Sequence, residues 1–542
     1  MVHLSEKGIT LEIRAPEILI LLLFLTFVFA LELRVTLNTP ISFGDEGFHT
    51  RMAQWIGENR EYPVWRPFEG SDIDRVAFER PPLWNILEGG IIFLVGYHEF
   101  IIKSLTPFIA VLTGLALFIL AKRLYNEKVA FIASAIFVTI PSFVTYSVLF
   151  YTDILFTFYF MMFFLTFLMY LKDRSKKYWL LSAAFGGLAF LTKLPGVVVI
   201  LFVGVMLVYE LFKNFKTSNR LEIIKSYILF IVLIGAVCSG FLIRNIIYYK
   251  TPHCNIPIPF FNPVCNIDEF EDKYSFAGRT EAAGTEVGVL SMGLTNYLDF
   301  AYGNVWFVIF GLLGGIILMG AKKDQKDLVI LFIVLLMSLI IYQSDISFRA
   351  EDTARHTLGW APFIAIIAAS YFEEVYNFIK QYQKYLALVV FVFVVVIGYQ
   401  NMDGKLQVMD QVKQFSPSFF EACDWVKENV PKGSLITTVW THRTTYSCQR
   451  NVIGAFPDIR LSRDLNYTLD VAKQHRVTHI FIQKFSIDYQ NRQLQETYDW
   501  DFVKFIEDNS EHFKKIYENG PSLDQCRQVG GCDGNLIYEI IY

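Results

Sequence analysis

The stretch Leu83-Trp84-Asn85-Ile86-Leu87-Glu88-Gly89-Gly90-Ile91-Ile92-Phe93-Leu94-Val95-Gly96-Tyr97 decides how this chain is threaded. It is apolar, but it falls short of the roughly 20 residues a helix needs to cross a bilayer. Glu88, Gly89 and Gly90 also interrupt it. Longer apolar stretches lie on either side, at 16–37, 101–121, 129–149, 151–171, 178–193, 196–212, 225–249, 304–321, 328–342, 357–375 and 385–399. If 83–97 does not span, the short loops 122–128, 172–177, 213–225, 322–327 and 377–384 all fall on one face. Each is rich in Lys or Arg, which marks that face as cytoplasmic. If 83–97 spans, those loops split between the two faces. The stretch therefore reads as a juxtamembrane or re-entrant segment. That gives about eleven spans, with the N-terminus cytoplasmic and the C-terminus extracytoplasmic.

Composition agrees with an α-helical polytopic membrane protein. Hydrophobic types make up 54% of the 542 residues and charged types only 18%, against about a quarter charged in soluble domains. The 51 Phe and 28 Tyr exclude a disordered chain. Basic and acidic residues number 48 and 52, so no basic excess points to nucleic acid. The first apolar stretch is too long, and too poorly followed by a small-residue cleavage site, to read as a removable signal peptide.

Beyond about residue 400 the sequence turns ordinary and soluble. The expected organisation is a membrane domain over 1–400, with a first outer loop at 38–100, and a C-terminal extracytoplasmic domain over 401–542. In that second domain, helical spacing at 417–429, 469–475 and 502–509 alternates with strand-like runs at 435–440, 478–483, 513–517 and 536–542. Alternation of this kind predicts a small α/β domain. Of the seven cysteines, only Cys238 lies within a span. Cys254, Cys265, Cys423, Cys448, Cys526 and Cys532 all fall on the outer face, where disulfides persist. Cys254/Cys265 and Cys526/Cys532 are close in sequence, while the connectivity itself stays open.

Charged residues gather at the outer ends of the spans. The first loop opens Ser42-Phe43-Gly44-Asp45-Glu46-Gly47-Phe48-His49. Phe48, Met52, Trp55 and Ile56 then share one helical face, as in an amphipathic helix lying at the membrane interface. The loop ends Phe78-Glu79-Arg80-Pro81-Pro82, where two prolines keep Glu79 and Arg80 extended. Asp153 opens a span, Lys193 stands in Leu191-Thr192-Lys193-Leu194-Pro195, and Arg244 and Arg355-His356 lie in or beside further spans. Charges at membrane depth are costly and read as functional. Acids and cations gathered on one face suit transfer from a phosphate-bearing lipid. A carboxylate takes the proton of an acceptor hydroxyl, and Lys and Arg stabilise the departing phosphate. Asp45, Glu46 and His49 also offer oxygen and imidazole ligands that suit Mn²⁺ or Zn²⁺. A divalent cation stays open, and no other cofactor is indicated.

These residues resemble the GT-C glycosyltransferases that use polyprenyl-phosphate sugars, nearest to the protein O-mannosyltransferases and the lipid A aminoarabinose transferases. Asp45-Glu46 matches the acidic pair of the first outer loop. Glu79-Arg80-Pro81 matches a Glu-Lys-Pro with Arg for Lys. Asp153, Leu191-Thr192-Lys193-Leu194-Pro195 and Arg355 match a later acid, a Leu-Thr-Lys-x-Pro stretch and a late basic residue. The resemblance covers about the first 400 residues. It implies a GT-C-like fold and an inverting transfer from a dolichyl or undecaprenyl phosphate monosaccharide to a lipid, glycan or protein hydroxyl. Asp45 would be the base, with Glu46 positioning it or the acceptor. Arg80, Lys193 and Arg355 would hold the donor phosphate, and Glu79, Asp153 and His356 would orient the substrate. The Trp-Trp-Asp-Tyr-Gly motif of oligosaccharyltransferases is absent, which disfavours en bloc glycan transfer to Asn. A lipid-sugar flippase, or a ligase using lipid diphosphates, is the competing reading. The flippase would line a path of charges to both faces.

Overall fold

A computed structural model of the chain describes residues 15–41, 45–63, 81–213, 220–249, 311–318, 355, 358–413, 416–454, 463–488 and 498–542. The expected span at 328–342 lies outside these residues, as do Glu79, Arg80, His356, Cys254 and Cys265. Contacts divide the chain into two units. One contains the residues up to Asn38 and the spans from Phe100 to Met409; the other joins Thr39–Glu99 to Asp410–Tyr542.

The chain begins with helix α1 (Ala15–Asn38). Helices α2 (Glu46–Asn59) and α3 (Leu83–Val95) follow in the second unit. The first unit continues with α4 (Glu99–Leu124), α5 (Glu127–Thr139), α6 (Pro141–Ser147), α7 (Thr152–Asp173), α8 (Lys176–Thr192), α9 (Val198–Lys213) and α10 (Arg220–Tyr249). After these come α11 (Ala361–Tyr382) and α12 (Lys384–Lys413). Among the described residues, six helices are long and apolar enough to cross a membrane, or seven if the bent pair α5–α6 is one span. Their outer faces present Leu19, Leu23, Phe27, Ile228, Val232 and Ile247 uncovered. Uncovered apolar side chains on spans of this length are lipid-facing, so the chain is an integral membrane protein.

The expected span at 129–149 is not straight: α5 and α6 meet at a bend of 64°. Its cause is Pro141. Ile140, the residue before it, is extended, and Pro141 opens α6 at its first turn, where its missing N–H costs nothing. The stretch 83–97 forms α3, only 13 residues long. A second break separates α8 from α9, where Leu194–Val197 form one 3₁₀ turn. A Cβ on Gly196 would lie 2.5 Å from the Phe190 backbone, so the chain passes itself there only as glycine.

Helix α7 is the centre of the first unit. Phe160, Phe163, Phe164 and Phe167 are all buried along it. Phe164 meets Phe202 of α9 and Phe363 of α11 edge-on, each at 4.9 Å. Phe167 meets Phe230 of α10 at 6.0 Å. Edge-to-face pairs are favoured by the ring quadrupole, and here they lock α7 to three neighbours.

The second unit carries the α/β fold. Its sequence order is α13 (Pro417–Asn429), β1 (Leu435–Thr438), α14 (Thr441–Cys448), β2 (Asn451–Gly454), α15 (Leu465–Gln474), β3 (His479–Gln483), β4 (Ile487–Asp488), β5 (Tyr498–Asp499), α16 (Trp500–Asp508), β6 (Phe513–Asn519), α17 (Leu523–Val529) and β7 (Asn535–Ile540). Five strands form a mixed sheet in the order β2-β1-β3-β7-β6. β1 runs parallel to β2 and β3, and β7 runs antiparallel to β3 and β6. Alternate strand residues feed two cores. Ile480, Ile482, Leu536 and Tyr538 enter one with Phe502 and Ile506 of α16. Ile436, Phe481 and Ile537 enter the other with Phe419 and Val426 of α13. Disulfides join Cys423 to Cys448 and Cys526 to Cys532. The first pair ties α13 to α14, a pairing that short sequence spacing does not suggest.

Candidate active site

Asp153 stands in the first turn of α7 and is 1% exposed. Lys193, extended between α8 and the 3₁₀ turn, binds Oδ1 of this carboxylate through its ammonium. Arg355 Nε donates to Oδ2 at 3.0 Å. Two cations thus share one buried carboxylate. The Arg355 guanidinium also lies 4.5 Å from the centre of the Tyr151 ring, a cation–π contact. Tyr146 lies 6.2 Å from Tyr151. Lys193 and Arg355 keep 12% and 18% of their side chains exposed, against 1% for Asp153. The acid is therefore the buried anchor, and the cations form the accessible surface of the cluster. At 1.5 Å per residue the 22-residue α7 is about 33 Å long. At its far end Arg174 pairs with Glu210 at 2.6 Å. Lys122 and Glu127 likewise pair between α4 and α5. Arg244 lies in α10, its Nη1 3.1 Å from Asn245 Oδ1.

Asp45 and Glu46 belong to the second unit. Asp45 occupies the N-cap of α2, yet its side chain makes no capping hydrogen bond. Glu46, in the first turn, is buried at 1% exposure, where the positive end of the helix dipole favours a carboxylate. Phe48, Met52 and Ile56 are buried. The expectation that this face lies on the membrane interface is therefore corrected. It packs in protein, because α2 docks on α3 and α14. The fit is close: a Cβ on Gly89 would fall 2.6 Å from Ile56, so glycine is what lets the helices approach. His49 Nδ1 lies 2.8 Å from Asn85 Oδ1. His49 to Asn85, Ile56 to Gly89 and Gly57 to Ile92 advance together along both helices. Hence α2 and α3 run parallel, with Asp45 and Pro81-Pro82 at the same end. Glu79 and Arg80 immediately precede that proline pair in the chain.

The candidate metal set is not supported as a group. Among the described residues no three His, Cys, Asp or Glu side chains come together as metal ligands, and the His49 ring is engaged with Asn85. Elsewhere in this unit the Tyr97 and Tyr446 hydroxyls meet at 2.6 Å. Burial pushes the Tyr97 phenol up to about 12 and that of Tyr446 upward as well. The pair is therefore a neutral hydrogen bond, one phenol donating to the other.

Sequence reasoning missed Glu32. It is fully buried in α1, 2.6 Å from the Ser147 hydroxyl at the end of α6. The signal was present as an acid inside an apolar span, Leu31-Glu32-Leu33.

Residues 79–243 match the family described as dolichyl-phosphate-mannose-protein mannosyltransferase. No curated protein sequence matches the chain. Among solved structures, the chain is similar to the Archaeoglobus fulgidus oligosaccharyltransferase complexed with zinc and sulfate, at 15% identity and TM-score 0.63. That match covers 92% of this chain and 72% of the other. AglB from the same organism, in complex with an inhibitory peptide and a dolichol-phosphate, matches at 14% identity and TM-score 0.60, over 94% and 74%. ArnT from Cupriavidus metallidurans, bound to undecaprenyl phosphate, matches at 12% identity and TM-score 0.62, over 97% and 98%. The chain has the GT-C fold, as the resemblance implied. The likeness extends to oligosaccharyltransferases although their Trp-Trp-Asp-Tyr-Gly motif is missing.

Proposed function

We propose that this membrane protein of GT-C fold is a glycosyltransferase. It moves one monosaccharide from a polyprenyl phosphate, dolichyl or undecaprenyl, to a hydroxyl of a lipid, glycan or protein acceptor. The observation that carries the reading is the Asp153–Lys193–Arg355 cluster, two cations converging on one buried acid at the end of a span. A lipid phosphate is the anion delivered to that depth, and charge-assisted hydrogen bonds are strong where water is scarce. The match of residues 79–243 to a family named for a dolichyl-phosphate-linked donor supports the same donor class.

In this reading Lys193 and Arg355 hold the donor phosphate, joined by Arg80 from the first loop. Asp153 aims both cations. The acceptor oxygen attacks the anomeric carbon as the bond from that carbon to the phosphate oxygen breaks. The electron pair leaves on the polyprenyl phosphate, where the cations receive it. The acceptor proton passes to Asp45, Glu46 positions the acceptor or the base, and Glu79 and His356 orient the substrate. Direct displacement inverts the anomeric centre. The reaction takes place on the extracytoplasmic face, with the N-terminus cytoplasmic and the C-terminal domain outside.

The test uses the full chain purified in detergent with a radiolabelled polyprenyl-phosphate sugar. Asp45→Asn should slow transfer by about 10²–10⁴-fold, the usual loss for a general base, and leave donor binding intact. Glu46→Gln should be milder. Turnover of Asp45→Asn at the wild-type rate would remove the base assignment. Unchanged donor affinity in both Arg355→Ala and Lys193→Ala would remove the phosphate site.

A further inference from the structure

Ser147 lies six residues before Asp153, and its hydroxyl has two close oxygen neighbours. One is Glu32 Oε1 at 2.6 Å; the other is the Val144 carbonyl at 2.9 Å. A serine hydroxyl carries one hydrogen. Were Glu32 a carboxylate, both neighbours would only accept, and the one hydroxyl hydrogen would be divided between them. Both side chains are fully buried. Glu32 Oε2 has no hydrogen-bond partner among the described residues. An ionised carboxylate in that setting is costly. A protonated Glu32 satisfies the geometry: its O–H donates to Ser147, and Ser147 donates to Val144.

Downstream of Ser147, residues 148–151 turn into α7. The Tyr151 N–H donates to the Leu149 carbonyl at 2.9 Å. Tyr151 is the ring that lies beneath Arg355, 4.5 Å from its guanidinium carbon. Ser147 therefore stands at the root of the turn that supplies this ring.

We infer that neutral Glu32 is a positioning residue. By bonding Ser147 it sets the 148–151 turn, so that Tyr151 holds the Arg355 guanidinium in place for a lipid phosphate. The inference rests on the donor-phosphate reading of Arg355, and the experiment separates the two. The probe is undecaprenyl phosphate without sugar, titrated against the full chain in lipid nanodiscs. The variants are Glu32→Ala, Glu32→Gln, Ser147→Ala, the Glu32→Ala/Ser147→Ala double, and Arg355→Ala as reference.

Losing one buried hydrogen bond should weaken the probe about tenfold in Glu32→Ala and in Ser147→Ala. The double variant should be no worse than either single, because both remove the same bond. Glu32→Gln should restore affinity to within about twofold, since an amide also donates to Ser147. A role in general packing predicts no such rescue pattern in affinity among variants with matched size-exclusion profiles. Wild-type affinity in Ser147→Ala, beside a weakened Arg355→Ala, would overturn the inference and leave the phosphate site standing. Glu32→Gln as weak as Glu32→Ala would show that the charge matters and would overturn it as well. Wild-type affinity in Arg355→Ala would overturn the donor-phosphate reading, and this inference with it. Should Glu32→Ala fail to fold, the affinities of Ser147→Ala and Glu32→Gln support or overturn the inference in the same way.

Discussion

Replacing Asp153 by Asn leaves the shape of the site and removes the charge that two cations share. Arg355 Nε lies 3.0 Å from Oδ2. At an effective dielectric constant of about 20 the gross attraction of such a pair is about 5.5 kcal/mol. Desolvation offsets part of that, and removing one partner of a buried pair costs about 3–5 kcal/mol. Lys193 and Arg355 are partly exposed, so water can still reach the cations when they are released. The lower end, about 3 kcal/mol, is therefore expected, a factor of roughly a hundred in the folded-to-unfolded ratio. Donor affinity should fall too, although the substitution removes a negative charge from the cluster. If charge alone governed binding, Asp153→Asn would bind the lipid phosphate more tightly. If Asp153 aims the cations, it binds more weakly. Both readouts come from one preparation: chemical unfolding of the detergent-purified chain, and titration with undecaprenyl phosphate. Wild-type stability together with tighter phosphate binding would refute the reasoning.

Three further outcomes are expected. Gly196→Ala forces a methyl to 2.5 Å from the Phe190 backbone; an overpacked site of this kind costs about 1–3 kcal/mol, and the thermal midpoint should drop, whereas an unchanged midpoint would show that the 3₁₀ turn yields freely. The Cys423–Cys448 bridge closes a loop with a sequence separation of 25, so loop entropy puts its removal at about 3.5 kcal/mol; mild reduction should lower the denaturation midpoint of the wild type far more than that of Cys423→Ala/Cys448→Ala. Burial holds His479 below its ordinary 6.5, with Glu539 pulling weakly the other way. The unfolded chain then takes up a proton below pH 6.5 that the folded chain refuses, so stability should fall as pH drops through that value. His479→Gln should flatten the decline, and a parallel decline in that variant would remove His479 as its source.

Helix α14 shows why part of the C-terminal domain was hidden in sequence. Thr441, Thr444 and Thr445 are weak helix formers, and the run carries no apolar stripe, so nothing local predicts a helix. It forms because a disulfide anchors Cys448 to α13 and because α2 packs on it. The amphipathic face of α2 was legible, but what covers it was not: a row of Phe48, Met52 and Ile56 fits a membrane surface and a protein surface equally well, and Gly89 decides by letting α3 approach.

Hydropathy is a sum over about 20 contiguous residues, so the sequence alone determined a polytopic membrane protein. Alternating patterns determined its α/β C-terminal domain. Loop charge is local as well, and the proposed assignment of faces rests on it. The convergence of Lys193 and Arg355 on Asp153 was decided only by the tertiary structure, because those residues lie 40 and 202 positions from it. Glu32 and Ser147, 115 positions apart, met for the same reason. A buried ion pair or hydrogen bond depends on distance and burial, and neither exists until the Phe contacts around α7 and the bend at Pro141 bring remote segments together.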